Sequence, residues 1–341
     1  MGEGVRKMSK IYTKDGWVNW EYIVDQGSAF NMVVGARGVG KTYGLMLYCL
    51  EHKRPFIYLR RLKSQLEQCA TSEGNPFKRI NTDTGRDITV RRTSGGLLFQ
   101  DQGHTVAVGV ALSTVANVRG FDFSDYDCII FDEAISSEGE RPINHEFTAF
   151  LNFYETVNRN RELLGEKAVQ AFLLGNANRL TNPYYSGWHF FKTAINMLRG
   201  GQMVWRSGDG TRLMIQLLDS KISGQKRETA LYKNANDGFL SMALDNAFRT
   251  DGTNIRSMSL REFNHVVSIG EIGIYRHKSE RLYYVSMTAH NDGSVYEAYG
   301  IGLKMFRQDY YNLRIFYMVN KIVYFENYEC ELIFRELFDL T

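Results

Sequence analysis

Residues 35–42 read Gly35-Ala36-Arg37-Gly38-Val39-Gly40-Lys41-Thr42, a full match to the phosphate-cradling pattern G-x-x-x-x-G-K-[S/T]. No other feature constrains the fold as much, because the pattern works only between a buried strand and a helix. Both flanks comply. Phe30-Asn31-Met32-Val33-Val34 is a short apolar run that suits a strand, and Tyr43 to Leu50 carries apolar residues that suit a packed helix. Glycines at 35, 38 and 40 let backbone N–H groups turn toward phosphate oxygens, aided by the positive end of the helix dipole. In this reading Lys41 reaches the β- and γ-phosphates of ATP, and the Thr42 hydroxyl ligates Mg²⁺.

A second motif follows some ninety residues later. Cys128-Ile129-Ile130-Phe131-Asp132-Glu133 is an apolar run ending in two carboxylates. A strand delivering Asp132 at its C-terminal end places it beside the Thr42-bound Mg²⁺, and Glu133 is placed to polarise an attacking water. Taken alone, the pattern also describes a strand end running into a solvated acidic turn. A carboxylate directly after the metal-binding aspartate marks the additional-strand, catalytic-glutamate division of P-loop ATPases. Further strands are expected at Pro55–Arg60, Thr105–Val110 and Val169–Gly175, with a helix over 145–164. Strand and helix thus alternate as in a parallel α/β sheet. In the additional-strand plan, Val169–Gly175 lies between the two motif strands. Asn176, or failing it Asn178, then contacts the γ-phosphate or the water, unless both only cap the turn.

Several candidates stay open on sequence chemistry. Arg159, in Arg159-Asn160-Arg161 at a helix end, either serves the helix dipole or reaches a neighbouring subunit's γ-phosphate. Arg60-Arg61-Leu62-Lys63 is either a solvated charge run or a loop that meets nucleic-acid phosphate. Arg119 either senses nucleotide or reaches DNA. Trp20 and Tyr22 either stack on adenine or pack at a core edge.

Length and charge bound the rest. The 341 residues suffice for two domains. We read 1–205 as the ATPase domain, 206–230 as a glycine-rich linker holding one strand near Leu213–Leu218, and 231–341 as a smaller α+β domain. In that last domain, 272–288 alternates like antiparallel strands and a helix closes the chain over 328–340. Net charge is +3, and residues 206–341 carry 17 basic against 17 acidic side chains, so the excess lies in the first 205. Non-specific coating of nucleic acid calls for a far more basic chain. The four cysteines are scattered, as expected of free thiols in a reducing compartment. No run approaches a membrane span, and Arg6 stands where a myristoylation signal needs Ser or Thr.

The phosphate loop, Ile57 to Lys63, Ile130 to Glu133, Glu155 to Glu162, and Asn176-Ala177 with Asn182-Pro183-Tyr184-Tyr185 resemble, in order and spacing, the DNA-packaging (encapsidation) ATPases of small short-tailed phages of the Picovirinae type. Met242 to Asn246 is a weaker echo. The resemblance implies a terminase-like ring motor, expected to be pentameric, that uses ATP to drive double-stranded DNA through the portal vertex of an empty prohead. Such a motor works in the host cytoplasm and at the prohead and is absent from the mature virion. Arg159 falls on the family's trans-acting arginine, Lys63 and Arg61 in the loop facing the DNA channel, and Arg119 on a basic interface position. The second domain is implied to be RNase H-like without its nuclease. Residues 281–287 offer no strand aspartate, and His290 and Asp292 fall in a turn. Some members also dock on a phage-encoded packaging RNA. Outside this resemblance, another ring DNA-translocating ATPase or helicase, or an ATP-gated binding switch, fits the same motifs.

Overall fold

The computed structural model describes residues 10–118, 122–136, 140, 143, 145–176, 182–188, 190, 193–194, 196–197, 200–218, 254–270, 272–290, 293–298, 300–338 and 340. The chain divides into two compact units, Met1–Arg249 and Thr250–Thr341.

The first unit is built on a nine-stranded sheet. Its strands are β1 (Phe30–Gly35), β2 (Phe56–Arg60), β3 (Ile88–Thr93), β4 (Gly96–Asp101), β5 (His104–Ala111), β6 (Cys128–Phe131), β7 (Gln170–Gly175), β8 (Val204–Arg206) and β9 (Arg212–Leu217), in the order β3-β4-β5-β2-β6-β7-β1-β9-β8. The six strands from β5 to β9 run parallel, and an antiparallel strand or hairpin closes each edge. β7 is buried at all six positions and lies between β1 and β6, as the additional-strand plan requires. Strands covered on both faces read as continuous apolar runs, which is why β1, β6 and β7 were legible from sequence.

The α-helices of this unit include α1 (Trp20–Val24), α2 (Lys41–Glu51), α3 (Lys63–Gln68), α4 (Lys78–Thr84), α5 (Glu146–Asn158) and α6 (Pro183–Gly187). α5 ends earlier than the expected 164, because Arg159 takes φ 47° and breaks the helical path. The strand expected near Leu213–Leu218 is β9, and it carries the start of the stretch read as a linker, 206–218, into the sheet. β9 pairs with β1 residue for residue from Phe30↔Arg212 to Gly35↔Leu217, and Leu213, Met214 and Ile215 are fully buried. Its glycines serve the β8–β9 turn, where Gly210 has φ 73°. The β3–β4 hairpin, which the sequence reading passed over, extends the opposite edge.

The second unit holds a five-stranded mixed sheet of β10 (Phe263–Ile269), β11 (Ile272–His277), β12 (Tyr283–Ser286), β13 (Ser294–Tyr296) and β14 (Val323–Phe325), ordered β13-β10-β11-β12-β14. β10–β11–β12 form an antiparallel meander, and β13 and β14 join its edges in parallel. Helices α7 (Gly300–Asp309), α8 (Tyr311–Met318) and α9 (Tyr328–Leu337) contribute Phe306, Leu313 and Phe334 to a core with Val267, Ile274 and Phe325.

Candidate active site

The loop between β1 and α2 depends on glycine where the backbone is left-handed. Gly38 has φ 67° and Gly40 φ 85°, a region that costs other residues a Cβ clash. Gly35 serves close approach, since a Cβ there would lie 2.5 Å from the Leu217 Cβ on β9. Lys41 is almost fully buried. Its Nζ donates to the Gly35 carbonyl (2.9 Å), the Ala36 carbonyl (2.7 Å) and Asn176 Oδ1 (3.2 Å). Asn176 is the first residue past β7, so the strand inserted between the motif strands delivers it to the loop lysine. Arg37 lies exposed on the same loop.

Asp132 leaves the tip of β6, with its N–H donating to the Leu59 carbonyl at 3.0 Å. Its Oδ1 accepts from Thr42 Oγ1 at 2.6 Å, which brings together the hydroxyl and carboxylate assigned to the metal. A hydroxyl and a carboxylate are the hard oxygen donors Mg²⁺ prefers, and such a site is completed by phosphate oxygens and water. The residues present therefore fit a Mg²⁺–nucleotide. Asp132 Oδ2 accepts from Tyr58 Oη and from Arg60 Nη1, both at 2.7 Å, while Arg60 Nη2 donates to Glu133 Oε2 at 2.6 Å. One guanidinium thus ties the two motif carboxylates together. Glu133 is half exposed and has φ 52°, a strained conformation for a non-glycine residue of the kind found at functional sites.

The electrostatics follow from this packing. Burial works against the Arg60 charge, but Tyr58, Asp132 and Glu133 outweigh it and raise its pKa further. Burial, and then the Asp132 charge, push the Tyr58 phenol well above its ordinary value, so it stays a proton donor. Sequence reasoning passed over Tyr58 and read Arg60 as part of a run that was either solvated or met nucleic-acid phosphate, whereas its side chain turns to the motif carboxylates. The signal available was period two: Tyr58 and Arg60 lie on one face of β2, the strand paired with β6.

The neighbouring Arg61 corrects an expectation. Its side chain is 1% exposed, donating from Nε and Nη2 to Glu146 (both 2.8 Å) and from Nη1 to Glu140 (2.6 Å). Tyr184 Oη adds a bond to Glu146 Oε1 at 3.0 Å. Arg61 is therefore a buried anchor for α5 and has no surface to offer DNA. Lys63, at the start of α3, is 67% exposed with Glu67 at 3.7 Å.

At the end of α5 the two arginines separate. Arg161 donates to the Ser124 and Tyr126 carbonyls and pairs with Glu166 at 3.6 Å. Arg159 is 54% exposed, with Asp122 at 3.9 Å. Trp20 is buried, edge-on to Phe172, and its Nε1 donates to the Gly40 carbonyl at 3.4 Å, while Tyr22 packs against the core. Both side with the core-edge reading. His290 donates its backbone N–H to Ser268 Oγ at 2.9 Å in the second unit. Arg119, Asn178, Asp292 and the 242–246 segment lie outside the described residues.

Comparison with known proteins adds an independent line. A family model described as Podovirus DNA encapsidation protein (Gp16) matches residues 13–338. The DNA packaging protein of Bacillus phage phi29 is 26% identical over 290 residues, covering 82% of this chain and 80% of that protein. A solved structure described as the Phi-28 gp11 DNA packaging motor superposes with a TM-score of 0.68 at 18% identity, covering 96% of this chain and 99% of the other. Another, of the bacteriophage Phi-29 viral genome packaging motor assembly, gives 0.66 at 19% identity over 95% and 99%. At those identities the superpositions speak for a shared fold.

Proposed function

The chain belongs to the Podovirus DNA encapsidation protein (Gp16) family, and from that premise we propose that it hydrolyses ATP at the Lys41–Glu133 site to drive double-stranded DNA into an empty prohead. The observation that carries the proposal is the convergence of Lys41, Thr42, Asp132 and Glu133 at the C-terminal ends of the parallel strands β1 and β6, which flank β7. Lys41 and the loop N–H groups would hold the phosphates, and Thr42 and Asp132 the Mg²⁺. When bound, the metal would supply positive charge that offsets the negative charge of the phosphates. Glu133 takes a proton from the attacking water, and Asn176 orients the γ-phosphate side.

Arg159 acts in trans, which makes the working unit a ring, proposed to be a pentamer. The exposure of Arg159, beside an Arg161 held by backbone carbonyls, supports that choice. Lys63 contacts DNA phosphates, which carry no base readout and so suit a motor indifferent to sequence. The partners in this reading are the DNA, the portal of the prohead and, in some members, a packaging RNA. The protein acts in the host cytoplasm and at the portal vertex and leaves before the virion matures. We also read the second unit as a nuclease-like fold without the nuclease: β10, β11 and β12 contain no aspartate or glutamate.

The test is protection of DNA from nuclease after proheads and ATP are added. Wild-type chain is expected to protect genome-length DNA, and Glu133→Gln to bind ATP yet protect none. Protection by Glu133→Gln, or without ATP, refutes the proposal.

A further inference from the structure

Beside the phosphate loop lies a cavity of about 710 Å³ whose walls include Trp17, Trp20, Tyr43, Tyr48, Gly38 and Gly40. That volume is in the range of small-ligand sites, and aromatic lining is typical of them. Trp17 is 48% exposed, although it is a large apolar ring. It is held there by design of the local backbone. Thr13 N–H donates to the Trp17 carbonyl at 2.8 Å, and Trp17 N–H to Thr13 Oγ1 at 3.2 Å, so the ring projects from a closed turn. The indole also rests on the loop itself, since a Cβ on Gly40 would lie 3.0 Å from Trp17 Cε3.

Several polar side chains on the cavity walls already carry hydrogen bonds. Asn19 Nδ2 donates to the Lys10 carbonyl at 3.0 Å, its Oδ1 accepts from Tyr22 N–H at 3.3 Å, and Tyr43 Oη donates to Asp83 at 3.0 Å. Trp17, Trp20, Tyr43 and Tyr48 give the cavity its ring surface, while Asn19 and Tyr43 direct hydrogen bonds to other parts of the chain. Trp20, whose N–H is spent on Gly40, forms the floor.

We propose that this cavity is the nucleobase subsite of the phosphate loop, and that Trp17 is its stacking platform, holding purines by ring contact with little discrimination between adenine and guanine. The inference rests on reading residues 35–42 as a nucleotide site and assigns the groups that meet the base. Stacking suits the role because every purine offers a π-face, whereas strong discrimination needs unspent donors and acceptors.

The test measures equilibrium binding of Mg-ATP, Mg-GTP and inorganic tripolyphosphate to the full chain and to Trp17→Ala and Trp17→Phe. Trp17→Ala is expected to weaken ATP and GTP by about tenfold or more, with tripolyphosphate changed by less than about twofold and most affinity regained in Trp17→Phe. Unchanged tripolyphosphate binding also reports an intact loop. Equal losses for ATP and tripolyphosphate overturn the proposal, since the ring would then only shape the loop. Wild-type preference for ATP over GTP beyond about a hundredfold overturns it too, because ring contact cannot supply that. A wild-type chain that binds none of the three refutes the phosphate-loop reading itself, an outcome distinct from loss of base contact alone.

Discussion

Replacing Glu146 by Gln should destabilise the first unit severely, although the change is nearly isosteric and remote from solvent. Arg61 and Glu146 are 1% and 2% exposed and share two bonds of 2.8 Å. Removing the carboxylate charge leaves a buried guanidinium whose other described ion-pair partner, Glu140, is 26% exposed. Tyr184 Oη would in addition face an amide in place of a carboxylate. Breaking a buried pair from one side costs about 3–5 kcal/mol, because the remaining charge stays desolvated. In a unit of this size that corresponds to a fall in Tm of roughly 6–20 °C. The assay is denaturant and thermal unfolding of wild type, Glu146→Gln, Arg61→Met and the double variant Arg61→Met/Glu146→Leu. The double variant should recover most of the loss, since an apolar pair of similar volume carries no stranded charge. A Glu146→Gln loss under about 1 kcal/mol, the scale of an exposed pair, would refute the reasoning. So would a double variant as unstable as the two single losses added together.

Other expectations concern the site and its surroundings. Arg60→Met should abolish hydrolysis while sparing nucleotide binding through the loop, because it unties Asp132 and Glu133 together; single-turnover kinetics beside equilibrium binding would separate the two, and unimpaired turnover would remove Arg60 from the site. Arg159→Ala should be inactive alone, and mixed rings should lose activity more steeply than in proportion to the mutant fraction; normal hydrolysis by the pure mutant would sink the trans assignment. In the β8–β9 turn, hydrogen bonds from Ser207 and then Thr211 hold Asp209 at about 2, below its usual 3.8. A depressed carboxyl stabilises above its unfolded pKa, and that contribution disappears as pH falls from about 4 toward 2. The stability gap between wild type and Asp209→Asn should close over that window, and a gap constant with pH would contradict it.

The contrast between Arg60 and Arg61 shows where sequence reading stopped. Adjacent strand-end residues point to opposite faces, so one reached the motif carboxylates and the other the buried Glu146. Which face meets which partner depends on β6 and α5, elements roughly seventy to ninety residues away. The strand at β9 was legible, but its place in the sheet was hidden for a related reason: its partner β1 lies some 180 residues earlier, and the surrounding glycines read as a connector. Trp20 drew attention as a base-stacking candidate, yet the fold buried it under Gly40 and left Trp17 at the cavity.

By itself, the sequence determined the phosphate loop, the strand carrying Asp132 and Glu133, and Asn176 past the inserted strand. These are local motifs in which residue type and spacing dictate backbone conformation and chemistry directly. The tertiary structure alone decided which arginine joins the site, which becomes a structural anchor, and which tryptophan remains exposed. Those outcomes turn on desolvation and on charge partners that only long-range strand and helix packing brings within hydrogen-bonding distance.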